Sequence, residues 1–259
     1  MKTSGNTILI TGGGSGIGLA LAEAFVKQDN QVIIAGRSQA KLASAAKKGF
    51  KTLTVDMTDK ASIQNLARQA ISLIPDLNTV IHNAGIMKNE LLLKGGDPAV
   101  EEETIATNLL GPMRLTDALL PHFLKQKSAT IITVTSGLAF VPFAMTPSYS
   151  ASKAAIHSYT QSLRYQLRET AIQVMELAPP YVATSLMGER QAKDPNAMPL
   201  EEFIAEVMQI LKDQPHATEI MVQRVHAQRT AGNAGQEKYE AFFKMMNDRL
   251  VAARKEELT

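Results

Sequence analysis

The 259 residues are 45% hydrophobic and 20% charged, a globular balance unlike that of a disordered chain, and their length suits one α/β domain over 1–259. Basic (27) and acidic (25) residues are mixed to a net charge of +2, with neither the broad field nor the basic cluster interleaved with aromatics that membrane or nucleic-acid binding needs. The absence of cysteine excludes disulfides, thiolate catalysis and cysteine metal sites, and no metal centre is expected.

The opening stretch, MKTSGNTILITGG, has an apolar run too short for a secretion signal or a membrane span, so a cytoplasmic protein is expected. Short β-rich runs then alternate with apolar residues at three- and four-residue spacing: TILIT, QVIIA, TLTV, TVIH, TIITVT and QVMEL. Because these runs are mostly apolar rather than alternating, they read as strands buried on both faces. The expected fold is α/β, a three-layer doubly wound Rossmann architecture around a mostly parallel seven-stranded sheet.

Directly after the first strand comes TGGGSGIGLALAEAF, a glycine loop where a strand turns into a helix. Gly12 permits the turn, Gly16 close approach of a pyrophosphate and Gly18 close helix packing, the helix N-terminus offers free N–H groups, and Gly14, Ser15 and Ile17 of the same stretch are further cofactor-binding candidates. A dinucleotide fits these needs, and so does a tight connection alone. At the end of the second strand, IIAGRS has Gly36 where an acid usually holds the adenosine ribose, followed by Arg37 and Ser38. A 2′-phosphate would meet a cation there, so NADP(H) is expected over NAD(H), although Ser38 also reads as a helix cap and Arg37 as a surface arginine. In TVDMT, Asp56 beside Met57 can bond the adenine amino group or cap the next helix, and HNAG puts Asn83, Ala84 and Gly85 at the carboxyl edge of the sheet.

Further on, SYSASKAAIHSY sets Tyr149 and Lys153 four apart, on one helical face. A free phenol titrates near 10, too high for proton transfer at neutral pH unless positive charge stabilises its phenolate; Lys153, a nicotinamide and the helix start after Pro147 would all act that way. From spacing alone a surface Tyr and Lys fits as well. TVTSG adds Ser136 at the end of the fifth strand.

TGGGSGIG, HNAG, TNLLG, the serine of TSG and YSASK stand in the order and spacing of the classical short-chain dehydrogenases/reductases, which the chain resembles through about residue 190. The resemblance implies hydride transfer between nicotinamide and a carbonyl or alcohol. It implies Tyr149 as general acid/base, Lys153 on the nicotinamide ribose lowering the phenol's pKa, Ser136 on the reacting oxygen, and Asn108 binding a water that links Lys153 to solvent. It further implies Pro179, Val182 and Thr184 near the carboxamide, and a homodimer or homotetramer. TSGLAFVPFAMTPSYSASK and APPYVATSL resemble a bacterial subgroup of oxidoreductases associated with teichoic-acid D-alanylation operons.

Three departures stand out. His82 replaces the family's asparagine and reads as a buried, hydrogen-bonded histidine. Pro179-Pro180 replaces Pro-Gly, removing a backbone donor. The glycine-rich tail gives way to EIMVQRVHAQRTAGNAG and the long helix pattern EKYEAFFKMMNDRLVAARKEEL. Between residues 178 and 199 a proline-rich stretch reads as a substrate loop, at about 180–200, before the amphipathic LEEFIAEVMQILK. Leu138, Phe140, Phe143 and Met187, with Val141 and Met145, line an apolar substrate pocket or pack these loops. The alternative to an enzyme is a non-catalytic NADP-binding sensor or assembly module on the same fold.

Overall fold

The computed structural model describes residues 1–252. Strands β1 (Thr7–Thr11), β2 (Gln31–Gly36), β3 (Lys51–Thr54), β4 (Thr79–His82), β5 (Ala129–Val134), β6 (Ile172–Leu177) and β7 (Glu219–Ile220) form one sheet in the order β3-β2-β1-β4-β5-β6-β7, every pair parallel. Helices α1 (Gly16–Val26), α2 (Gln39–Lys47), α3 (Lys60–Leu73), α4 (Pro98–Ile105), α5 (Gly111–Phe123), α6 (Pro147–Gln166), α7 (Glu189–Ala192), α8 (Leu200–Asp213), α9 (His226–Thr230) and α10 (Gln236–Ala252) connect or flank them.

Side chains alternating along each strand serve both faces of the sheet. Ile8 and Ile10 of β1 pack with Leu21 and Phe25 of α1 and Phe203 and Val207 of α8, while Leu9 joins Leu66 of α3, Leu115 and Phe123 of α5 and Leu163 of α6. That two-sided burial is why the strands read as continuous apolar runs. Strand order reverses between β1 and β4, so the loops after these strands diverge and open a crevice at their carboxyl ends.

Ser38 caps α2 by accepting from the Lys41 N–H (3.4 Å), and Asp59 caps α3 by accepting from Ala61 and Ser62. Asp56 does not cap α3; its carboxylate closes a local turn, accepting from the Thr58 N–H and hydroxyl at 2.9 and 2.8 Å. EIMVQRV is strand only at Glu219–Ile220, which pair with Glu176–Leu177 where β6 ends; Val222 and Val225 then turn into the core instead of extending an edge. The stretch from 178 to 199 holds the short α7 and an isolated bridge between Val182 and Met198. The closing helix ends its described course at Ala252, and residues 253–258 of that pattern lie outside the described residues.

Candidate active site

A cleft of about 520 Å³ lies over the carboxyl ends of the strands. At one end the glycine loop is held as closely as its sequence permits. Gly12 has a left-handed φ of +65°, and a Cβ there would come within 2.8 Å of the Ala84 backbone; one on Gly18 would stand 2.6 Å from the Gly12 carbonyl. Asn83 makes this approach possible. Its N–H donates to Thr11 Oγ1 and its amide to the Thr11 and Gly12 carbonyls, lacing the β4 loop to the β1 loop. Ser15, the residue before α1, makes no side-chain bond into the helix, so the first N–H groups of α1 are left for a ligand.

Gly14, Ser15, Gly16, Ile17, Arg37, Ser38, Asp56, Met57, Ala84, Gly85, Pro179, Val182 and Thr184 line the cleft, as do Gly12, Asn83, Ser136, Tyr149 and Lys153. Gly18 packs beneath it, against Asn83. Arg37 is largely exposed at the rim, 3.4 Å from Glu103, which binds Lys88 more closely at 2.7 Å. Lys41, which sequence reasoning passed over, reaches from the first turn of α2 to Ser15 Oγ at 3.0 Å and joins Arg37 in the wall. The Thr58 bonds, with a smaller contribution from Arg37, hold the Asp56 carboxyl below the usual carboxylate range.

At the other end the proline-led α6 sets Tyr149 and Lys153 one turn apart, and both are buried, with 7% and 5% exposure; they are no surface pair. Lys153 Nζ donates to the Val134 carbonyl at 2.7 Å and lies 5.5 Å from the Tyr149 ring centre. Ser136 Oγ accepts from the Leu138 N–H at 3.1 Å, and its hydroxyl faces the Tyr149 phenol closely enough to act on its titration. Burial pushes the phenol up to about 12 against the opposing effect of Ser136, so the protein groups do not themselves produce the lowered pKa expected from sequence. Burial also brings Lys153 down to about 8, opposed by the carboxylate of Glu176. Fully buried Glu176 accepts from Thr135 Oγ1 and pairs with His157 Nδ1, each at 2.7 Å.

Asn108 sits in a π-helical turn, Ala106–Leu110, between α4 and α5. Its amide donates to the Ile86 carbonyl and Ser152 Oγ and its oxygen accepts from the Ile86 N–H, which brings it beside Gly85 and near Lys153. His82 is buried, with Nε2 3.0 Å from Thr116 Oγ1 and no partner for Nδ1 among the described residues; burial lowers it to about 3. The Pro179 carbonyl accepts from the Gly137 N–H, joining the loops after β5 and β6. Buried Gln191, also missed from sequence, donates to the Val182 carbonyl and Thr184 Oγ1 and fixes the loop they share.

The apolar substrate residues do not gather at this cleft. Leu138, Phe140 and Phe143 are absent from its lining: Phe140 stands edge-on to His157 with Arg229 over its ring, and Phe143 is buried under its own loop. Met187 faces a neighbouring cavity. Among the described residues no three His, Cys, Asp or Glu side chains are grouped to hold a metal, and no helix is long and apolar enough to cross a membrane.

A family profile described as short chain dehydrogenase matches residues 6–195. The uncharacterized oxidoreductase DltE of Bacillus subtilis (strain 168) is 39% identical over 253 residues, 95% of this chain and 98% of its own. An uncharacterized oxidoreductase of Staphylococcus aureus (strain MW2) is 31% identical over 80% of this chain and 91% of its own. Among solved structures, a short chain dehydrogenase from Burkholderia cenocepacia J2315 in complex with NADP has a TM-score of 0.80 at 22% identity, covering 94% of this chain and 99% of that one. A short chain dehydrogenase/reductase from Burkholderia phymatum in complex with NAD has 0.77 at 18%, covering 90% and 95%. At such identities the likeness is one of fold.

Proposed function

The chain belongs to the short chain dehydrogenase family, and from that premise we propose that it is an NADP-dependent oxidoreductase interconverting a carbonyl and an alcohol, with Tyr149 as general acid and base. One observation carries the reading: a buried Tyr149, facing Ser136 and one turn from Lys153, stands in the same cleft as a glycine loop too close-packed to accept side chains at Gly12 or Gly18. The fit to a dinucleotide rests on that loop and on the unspent N-terminus of α1. Arg37, Ser38 and Lys41 would hold the 2′-phosphate, Asp56 and Met57 would border the adenine, and Val182 and Thr184 would take the carboxamide.

When bound, the nicotinamide supplies or accepts the hydride. The remaining work belongs to the chain. Ser136 holds the substrate oxygen, and Tyr149, kept protonated at neutral pH by burial, delivers its proton to that oxygen during reduction. Lys153, charged below about pH 8, orients the ribose and counters charge developing on the phenol. Asn108 holds the Ile86 backbone at the edge of this group and reaches the Lys153 helix through Ser152.

Titration of the purified protein with NADPH and NADH tests the cofactor half. NADPH should bind more tightly, and Arg37→Ala should weaken it by about tenfold, a modest loss because the guanidinium is exposed. A carbonyl panel with Tyr149→Phe tests the chemistry, for which loss of turnover with retained NADPH affinity is expected. Unchanged turnover in that variant would sink the assignment of Tyr149, and a protein that binds NADPH yet reduces nothing would point to the sensor module.

A further inference from the structure

A second cavity of about 520 Å³ adjoins the cofactor cleft, and the two share Pro180 and Gln191 in their walls. Arginines from three separate segments line it: Arg190 of α7, Arg224 of the turn after β7 and Arg249 of α10. For a chain with net charge of only +2, this is a local concentration of positive charge. Asp194 lines the same wall near Arg190, but its carboxylate already accepts from the Asn196 N–H and amide and from the Tyr181 hydroxyl. Arg224 and Arg249 make no ion pair or hydrogen bond among the described residues, whereas Arg37 and Arg229 each face a glutamate. Met187, Met246 and Leu250 give the cavity an apolar side.

We propose that this cavity anchors the substrate by an oxyanion at its far end. The substrate class is then a carbonyl compound with a carboxylate or phosphate monoester tail. Its head group meets Arg224 and Arg249, its apolar linker lies on Met187, Met246 and Leu250, and its carbonyl passes Pro180 to reach Tyr149 and Ser136. Guanidinium groups suit this task, since their planar fork binds either oxyanion bidentately. The assignment rests on the hydride-transfer reading above and adds to it what the enzyme selects.

The test begins with binding, independent of turnover. Calorimetric titration of the NADPH-loaded protein with octyl phosphate, octanoate and octanol should show at least one anion binding about tenfold more tightly than the alcohol. The ranking of the two anions identifies the head group. In the double variant Arg224→Gln/Arg249→Gln the anions should bind no better than octanol. Equal binding of all three by the parent protein, or an anion preference that survives in the double variant, overturns the proposal. Turnover then separates the two readings: an ω-carboxy aldehyde should exceed its methyl ester in kcat/KM, and the double variant should bring that ratio towards one. Neutral aldehydes reduced with no preference for the acid would remove the anchor alone. Anion binding with no carbonyl reduced would remove the hydride-transfer reading and, with it, the role of the cavity as a substrate anchor.

Discussion

Acid tests His82 more sharply than any other buried base in the chain. Its folded pKa of about 3 lies below its ordinary 6.5, so between those values the unfolded chain takes a proton that the native imidazole refuses. The associated stability is complete above pH 6.5 and is lost as pH falls towards 3. Between pH 7 and pH 5 the loss should come to about 2 kcal/mol, and His82→Asn should remove that increment, as urea midpoints at the two pH values would show. Lys153 is a second group whose proton matters, and the Glu176 carboxylate acts on it. Activity should fall as pH climbs past about 8, where Lys153 loses its proton. Glu176→Gln withdraws the carboxylate that opposes this loss, so the alkaline limb of kcat/KM should move down by about one pH unit; an unmoved limb would free Lys153 from Glu176. The motifs singled out Ser136 at a strand end and Tyr149 and Lys153 by their helical spacing, and the structure brings all three to one cleft. Their titration was not legible: the raised phenol and lowered ammonium come from burial, which no spacing reveals.

At the scale of elements, most strands could be read directly. TILIT and TVIH coincide with β1 and β4, and the other early runs lie within one residue of their strands at either end. Two-sided burial writes itself into composition. What holds α6 does not. Glu90, buried in the loop after β4, accepts from the Ser148 N–H at 3.0 Å and the Ser148 hydroxyl at 2.6 Å, capping α6 one residue before Tyr149. A lone glutamate 58 positions upstream carries no periodic or motif signal. Glu90→Ala should cost about 1–2 kcal/mol by leaving half-buried donors unmet, and should lower kcat while the NADPH dissociation constant stays put. A variant with full kcat would show that α6 holds its register without this cap. The π-helical turn around Asn108 was equally hidden, since TNLLG has no feature that separates it from an ordinary α-helix.

Across the whole molecule, the cleft draws its walls from residues between Gly12 and Gln191, and the loop that leads into Tyr149 is held from farther along the chain still. Asn247, buried on α10, accepts from the Ala144 N–H at 2.7 Å and donates to the Pro142 carbonyl, pinning the loop between Ser136 and Tyr149. The separation of 103 positions between Ala144 and Asn247 explains why sequence patterns are silent about it. Asn247→Ala should destabilise the protein by about 2 kcal/mol. It should also speed hydrogen exchange at residues 140–146 and reduce turnover with little change in NADPH affinity. Slow exchange in that loop would mean that α10 merely rests on it.

The same contact gives protein synthesis an order. The ribosome releases the glycine loop, β2 and the strands through β6 well before α10, and domains can fold as they emerge. A nascent chain that has not yet added α10 would therefore be able to cradle a dinucleotide while the loop before Tyr149 still lacks its pin. Competence to bind would precede competence to react, and the interval would be set by the time taken to translate the residues between β6 and Asn247.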